Sequence, residues 1–214
     1  MLLRYKTVLN EGEAEIVEKK SRFIATVRPV KTEEEAKAFI EEMKKKYWNA
    51  THNCYAFRVG ENSEIQRFSD DGEPSGTAGA PMLSILQKNN LCNIIVIVTR
   101  YFGGILLGTG GLVRAYSDAA MKVIQNATLV NETCGYEAEI ELEYAQLELF
   151  KYYCNKNGIN IINIDYQDNI KCIIEVTENE INGLNFDKEK TVKFVEISRI
   201  SSKNIRKKPS DANG

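Results

Sequence analysis

Three stretches of this chain hold residue types that do chemistry. The first, TRYFGGILLGTGGLVRAYSDAA (Thr99–Ala120), carries five of the fourteen glycines together with Arg100 and Arg114. The apolar run IIVIV before it reads as a strand and the stretch after it as a helix. That is the setting in which backbone N–H groups at a helix start hold a phosphate. Gly103 and Gly108 have the outer spacing of a P-loop, but Thr109 stands where the lysine belongs. Gly108 and Gly110 open a dinucleotide fingerprint, but Val113 occupies the third glycine position. Two readings stay open. The glycines permit positive φ and a close strand-to-helix approach, or Gly103, Gly104, Thr109, Gly110 and Gly111 present N–H groups to an anion framed by Arg100 and Arg114. Arg114 and Asp118 are four apart, so an ion pair along the helix competes for that arginine.

The second stretch, RFSDDGEPSGTAGAP (Arg67–Pro81), sets Asp70, Asp71 and Glu73 in a loop with Ser75 and Thr77. Clustered carboxylates suit magnesium or calcium, but D-D-G-E lacks the alternation of an EF-hand loop, and a structured turn competes. The third, THNCYAF, holds His52 and Cys54 two apart, which on a strand share one face. A thiol–imidazole nucleophilic pair is the sharp reading and a buried strand cysteine the plain one. No catalytic set, metal site or cofactor is assigned from these residues. His52 is the sole histidine, which removes most histidine-based metal and triad chemistry.

These residues need a framework to position them. LLRYKTVL, EAEIVEKK and RFIATVRPV alternate as half-buried strands. TEEEAKAFIEEMKKKYW is an amphipathic helix, with Thr32 and Glu35 spaced as a capping box and Ala36, Phe39, Ile40 and Met43 as its apolar stripe. NCYAFRV and EIQRF read as a strand pair, APMLSILQKNN as a helix, and IIVIV as a central strand covered on both faces. Leu112, Tyr116, Ala119 and Val123 stripe a helix from about Gly111 to Gln125. Beyond ETCGYE the pattern changes: strand, a helix closed by Gly158, two strands around a DN turn, a weaker helix at ENEINGLNF, and a last strand at TVKFVEISRI. That β-α-β-β-α-β order is ferredoxin-like. The expected organisation is α+β, with domains at 1–132 and 133–200 and a basic, disordered tail at 201–214.

The chain has 214 residues and a net charge of −2, unevenly placed. Residues 135–198 carry 13 acidic and 6 basic side chains, whereas Arg199–Lys208 carries five basic and no acidic ones. Neither module is a basic body that binds nucleic acid by charge alone. Five widely spaced cysteines without a CxxC pair suit reduced thiols, and the apolar runs are too short to span a bilayer. A cytoplasmic protein that does not enter a membrane is expected.

ATHNCYAFRVG, SDDGEPSGTAGAPML and VTRYFGGILLGTGGLVRAYSDAA, in that order, closely resemble the Impact (YigZ-like) family. The resemblance covers roughly residues 17–125. The remainder looks, on weaker motifs, like the ferredoxin-like domain of bacterial members. It implies a first domain like the second domain of ribosomal protein S5, with helices on one face of its sheet, and a domain pair like the last two of elongation factor G. Eukaryotic members of the family regulate translation by competing for the co-activator of an amino-acid-starvation kinase. They carry a different extra domain that this sequence is expected to lack, so the resemblance does not imply that partner. The expected function is therefore non-enzymatic binding of RNA or the translation machinery, through His52, the 69–79 loop and the 100–114 turn. The rival is a small enzyme or binding protein for a phosphorylated or anionic metabolite.

Overall fold

The computed structural model describes residues 3–60, 62–177, 179–181 and 196–207. The element order is β1 (Leu3–Val8), β2 (Gly12–Glu18), β3 (Ser21–Pro29), α1 (Glu33–Lys46), β4 (His52–Val59), β5 (Ile65–Ser69), α2 (Gly79–Lys88), β6 (Ile94–Tyr101) and α3 (Gly108–Asn126). It continues with β7 (Leu129–Leu142), a 3-10 turn, α4 (Leu147–Lys156), β8 (Asn160–Tyr166), β9 (Ile170–Val176) and β10 (Glu196–Lys207). Two compact units result, one holding Tyr5–Asn131 and the other Glu132–Lys207.

The first unit is built on the antiparallel sheet β2-β3-β6-β4-β5. β6 lies at its centre, and Ile94 to Val98 are all buried, as an uninterrupted apolar run requires. Ile94, Val96 and Val98 pack with α2 and α3, while Ile95 and Ile97 pack with Phe39, Ile40 and Met43 of α1. Helices therefore cover both faces of the sheet, not the one face that the family resemblance implied. The physical reason is the period of two along β6, which turns an apolar side chain to each side in succession and leaves both needing cover.

Local signals are realised closely. Thr32 caps α1 by accepting from the Glu35 N–H at 3.1 Å, and the Glu35 carboxylate accepts from the Lys31 N–H at 2.6 Å. α3 begins three residues earlier than the apolar stripe alone suggests, and Tyr116 on that stripe is fully buried, edge-on to Phe23.

The second sheet has the order β1-β7-β9-β8, with β10 also paired to β7. Strands β10-β7-β9-β8 with α4 reproduce the ferredoxin-like arrangement. Of the expected helix at ENEINGLNF, residues 179–181 are helical and the rest lie outside the described residues. Residues 201–207, expected to open a disordered tail, instead continue β10. Ile205 is buried there, and a Cβ at Gly135 on β7 would collide with its side chain, so one apolar contact anchors the run of charge. Among the described residues no helix is long and apolar enough to cross a membrane.

Candidate functional site

Register brings the first site residues together. On the α2–α3 face of the sheet, Arg100 of β6 stands opposite Phe23 of β3 on one side and His52 of β4 on the other. The loop after β5 folds back over this row. Asp70 accepts from the N–H groups of Gly76, Ala78 and Gly79 at 2.8–3.0 Å, which ties the loop to the start of α2. Burial alone would raise the Asp70 carboxyl, but those three donors outweigh it and hold it below the usual carboxylate range. Asp71 accepts from the Asn53 N–H at 2.6 Å. Both aspartates are thus spent on the backbone of the loop and its neighbouring strand.

Their work places Glu73. Its side chain is 2% exposed, and Oε1 accepts from Arg100 Nη1 and from the Tyr116 hydroxyl, each at 2.7 Å. Arg100 is itself 5% exposed, lies near the rings of Phe23 and Phe102, and leaves its Nε without a partner. His52 Nδ1 lies 2.7 Å from the Asp71 carbonyl oxygen. A carbonyl only accepts, so Nδ1 carries the proton and Nε2 of the neutral ring is an acceptor. Nε2 lies 3.9 Å from Glu73 Oε1. The other carboxylate oxygen of Glu73 receives no hydrogen bond from the described residues.

A cavity of about 440 Å³ opens over this cluster. His52, Glu73 and Arg100 lie on its polar side, Phe102, Leu106 and Leu107 on its apolar side, and Gly108 and Thr109 at the first turn of α3. No side chain caps that turn and it holds no acid. Leu107 is shared with a second cavity, of about 180 Å³, whose wall includes Lys19, Gly111, Arg114, Glu18 and Asp118.

Of the residues expected at the site, His52, Glu73, Arg100 and Thr109 converge on the larger cavity. Arg100 is not an exposed anion ligand, because its charge is already matched by Glu73. Arg114 and Gly111 line the smaller cavity instead, and the competing Arg114–Asp118 ion pair is not formed. Ser75 is exposed, and the Thr77 hydroxyl donates to the Pro74 carbonyl at 2.6 Å. Gly104 and Gly108 hold φ of +83° and +74°. A Cβ on Gly103 would overlap the main chain of Lys20 and Ser21, so that glycine permits a close approach of the β2–β3 turn. Gly110 meets open space. Cys54 donates to the Asp70 carbonyl rather than to His52, and burial pushes its thiol well above the ordinary range, so it is not an activated nucleophile.

Lys19 and Lys20 were missed, because EAEIVEKK reads as one strand. They form instead the two-residue turn between β2 and β3, exposed and at φ of +45° and +65°. Two polar residues between two alternating runs were the available signal.

Residues 19–124 match the Impact N-terminal domain, and residues 140–185 match a domain of unknown function, DUF1949. The chain is 43% identical over 183 residues to IMPACT family member YvyE of Bacillus subtilis, spanning 86% of this chain and 84% of that protein. The chain belongs to the IMPACT family. IMPACT family member YigZ of Escherichia coli is 42% identical over 151 residues, covering 70% of this chain and 74% of its own. A crystal structure described as an hypothetical protein is 31% identical, covers 96% of this chain and 98% of its own, and superposes with a TM-score of 0.60. The Impact match begins at Lys19 and ends at Ile124, so it takes in both lysines of the turn and most of the wall of both cavities.

Proposed function

We propose that this chain acts in the regulation of translation by binding RNA of the translation machinery. The surface joins the Lys19–Lys20 turn to the first turns of α3. The carrying observation is that Lys19, Lys20 and Arg114 are exposed and form no ion pair among the described residues, beside a helix start that no side chain caps. Cations that form no ion pair, next to N–H groups that no side chain caps, suit phosphate. Glu18 and Asp118 stand beside them, so the surface is a local cation rim and not a broad basic face. Exposed Phe102 adds a ring on which a base can stack. Membership of the IMPACT family, whose resemblance implies work in translation, supports the same reading.

The test is ribosome co-sedimentation across a salt series. Lys19→Ala, Lys20→Ala and Arg114→Ala should each weaken binding and reduce the salt slope by about 0.7 for every phosphate left unneutralised. Co-sedimentation that ignores all three changes, or is absent from the wild type at low salt, sinks the proposal.

A further inference from the structure

We infer that the 440 Å³ cavity over His52 and Glu73 is a pocket for one unstacked nucleobase bearing an exocyclic amino group. This rests on the RNA reading above and names what that RNA must present. The cavity has the volume of a small-ligand site, and its polar wall carries two acceptors beside the unpartnered Arg100 Nε. With Nδ1 donating to the Asp71 carbonyl, the neutral His52 ring presents Nε2 as an acceptor 3.9 Å from Glu73 Oε1. Glu73 Oε1 is saturated by Arg100 and Tyr116, which leaves the second oxygen of a carboxylate whose side chain is 2% exposed. Two acceptors on one wall of the cavity suit a single –NH2 group, which donates one hydrogen to His52 Nε2 and the other to Glu73 Oε2.

The ligand's inserted part is neutral, because Arg100 already matches the Glu73 charge. It is flat and largely apolar, because Phe102, Pro74, Leu106, Leu107 and Leu112 form the remaining walls. Phe102 is 46% exposed, leaving ring surface for stacking. The ligand's charge belongs outside, where Leu107 separates the cavity from the one bearing Lys19 and Arg114. Neutral amino-bearing ring inside and phosphate outside describes adenine, cytosine or guanine in a single strand, and not uracil.

Fluorescence anisotropy of the full chain with 5′-labelled hexaribonucleotides separates the two levels. The probes are oligo-uridylate and the same strand with one central adenosine, cytidine or guanosine, or with purine ribonucleoside, which is adenosine without its amino group. The adenosine strand should bind on the order of tenfold tighter than the purine-ribonucleoside strand. His52→Leu should abolish that difference. A Lys19→Ala, Lys20→Ala double variant should weaken every strand alike. Equal affinities for adenosine and purine-ribonucleoside strands in the wild type overturn the pocket and leave the RNA reading standing. Discrimination that survives His52→Leu in a folded protein also overturns it. Binding of none of the strands at low salt overturns both readings, and points to a protein partner.

Discussion

Arg100 Nη1 meets Glu73 Oε1 at 2.7 Å with 6% and 2% of the two side chains exposed, so a loop residue and the central strand share a buried ion pair. The pair joins residues 27 apart in sequence and fixes the loop over His52. Desolvating two charges offsets much of their attraction, but removing one partner strands the other. Arg100→Ala should therefore cost about 3–5 kcal/mol. Tyr116→Phe, which removes a hydroxyl donated to the same carboxylate, should cost about 1.5–3 kcal/mol. Arg100→Met combined with Glu73→Leu should recover most of the stability that Arg100→Ala forfeits. Urea denaturation of the three variants checks this, and a cost below about 1 kcal/mol for Arg100→Ala would show that the pair does not hold the loop.

Gly103 and Gly110 sit in one glycine-rich turn but should respond oppositely to alanine. At Gly103 a Cβ would overlap the Lys20 and Ser21 main chain, which cannot swing aside, so Gly103→Ala should destabilise by about 1–3 kcal/mol. At Gly110 nothing lies within 4 Å and the residue is helical without positive φ. Gly110→Ala should stabilise by about 0.5–1 kcal/mol. Thermal melts of the two variants moving in the same direction would contradict these assignments.

What was legible in the sequence was local or periodic. The Thr32–Glu35 cap, the α1 and α3 stripes and the two-faced burial of β6 all follow from residues within a turn or two of one another. That His52, Glu73, Arg100 and Thr109 are candidates was legible, and all four line one cavity. Their roles were not, because roles depend on pairings far apart in the chain. Nothing near Arg100 in sequence foretells that Glu73 neutralises it, nor that Phe23 is its partner across β3. The same limit hid Lys19 and Lys20, which reach the glycine turn only through the close approach at Gly103.

Asp70 makes the site sensitive to acid. Its folded pKa is depressed, so its contribution is fully present above the unfolded value, near 3.8, and is lost as pH falls through the lower folded value. The thermal midpoint of the wild type should fall below about pH 4 more steeply than that of Asp70→Asn. At neutral pH the variant should be less stable by about 2 kcal/mol, the scale of hydrogen bonds to a charged acceptor. Parallel curves for the two proteins across this window would remove Asp70 as the loop's anchor.

The turn at Lys19 and Lys20 sets stability against binding in one place. A two-residue hairpin with positive φ at both positions favours Asn-Gly, because a lysine side chain gains nothing there and crowds its own backbone. Lys19→Asn with Lys20→Gly keeps the turn geometry and should stabilise the protein by about 1 kcal/mol or more. The same change removes two of the three cations at the rim, so RNA affinity at low salt should fall and its salt slope flatten. Stability measured by urea denaturation and affinity measured by anisotropy should therefore move in opposite directions in a single variant. A more stable protein with undiminished RNA affinity would show that phosphate does not contact this turn.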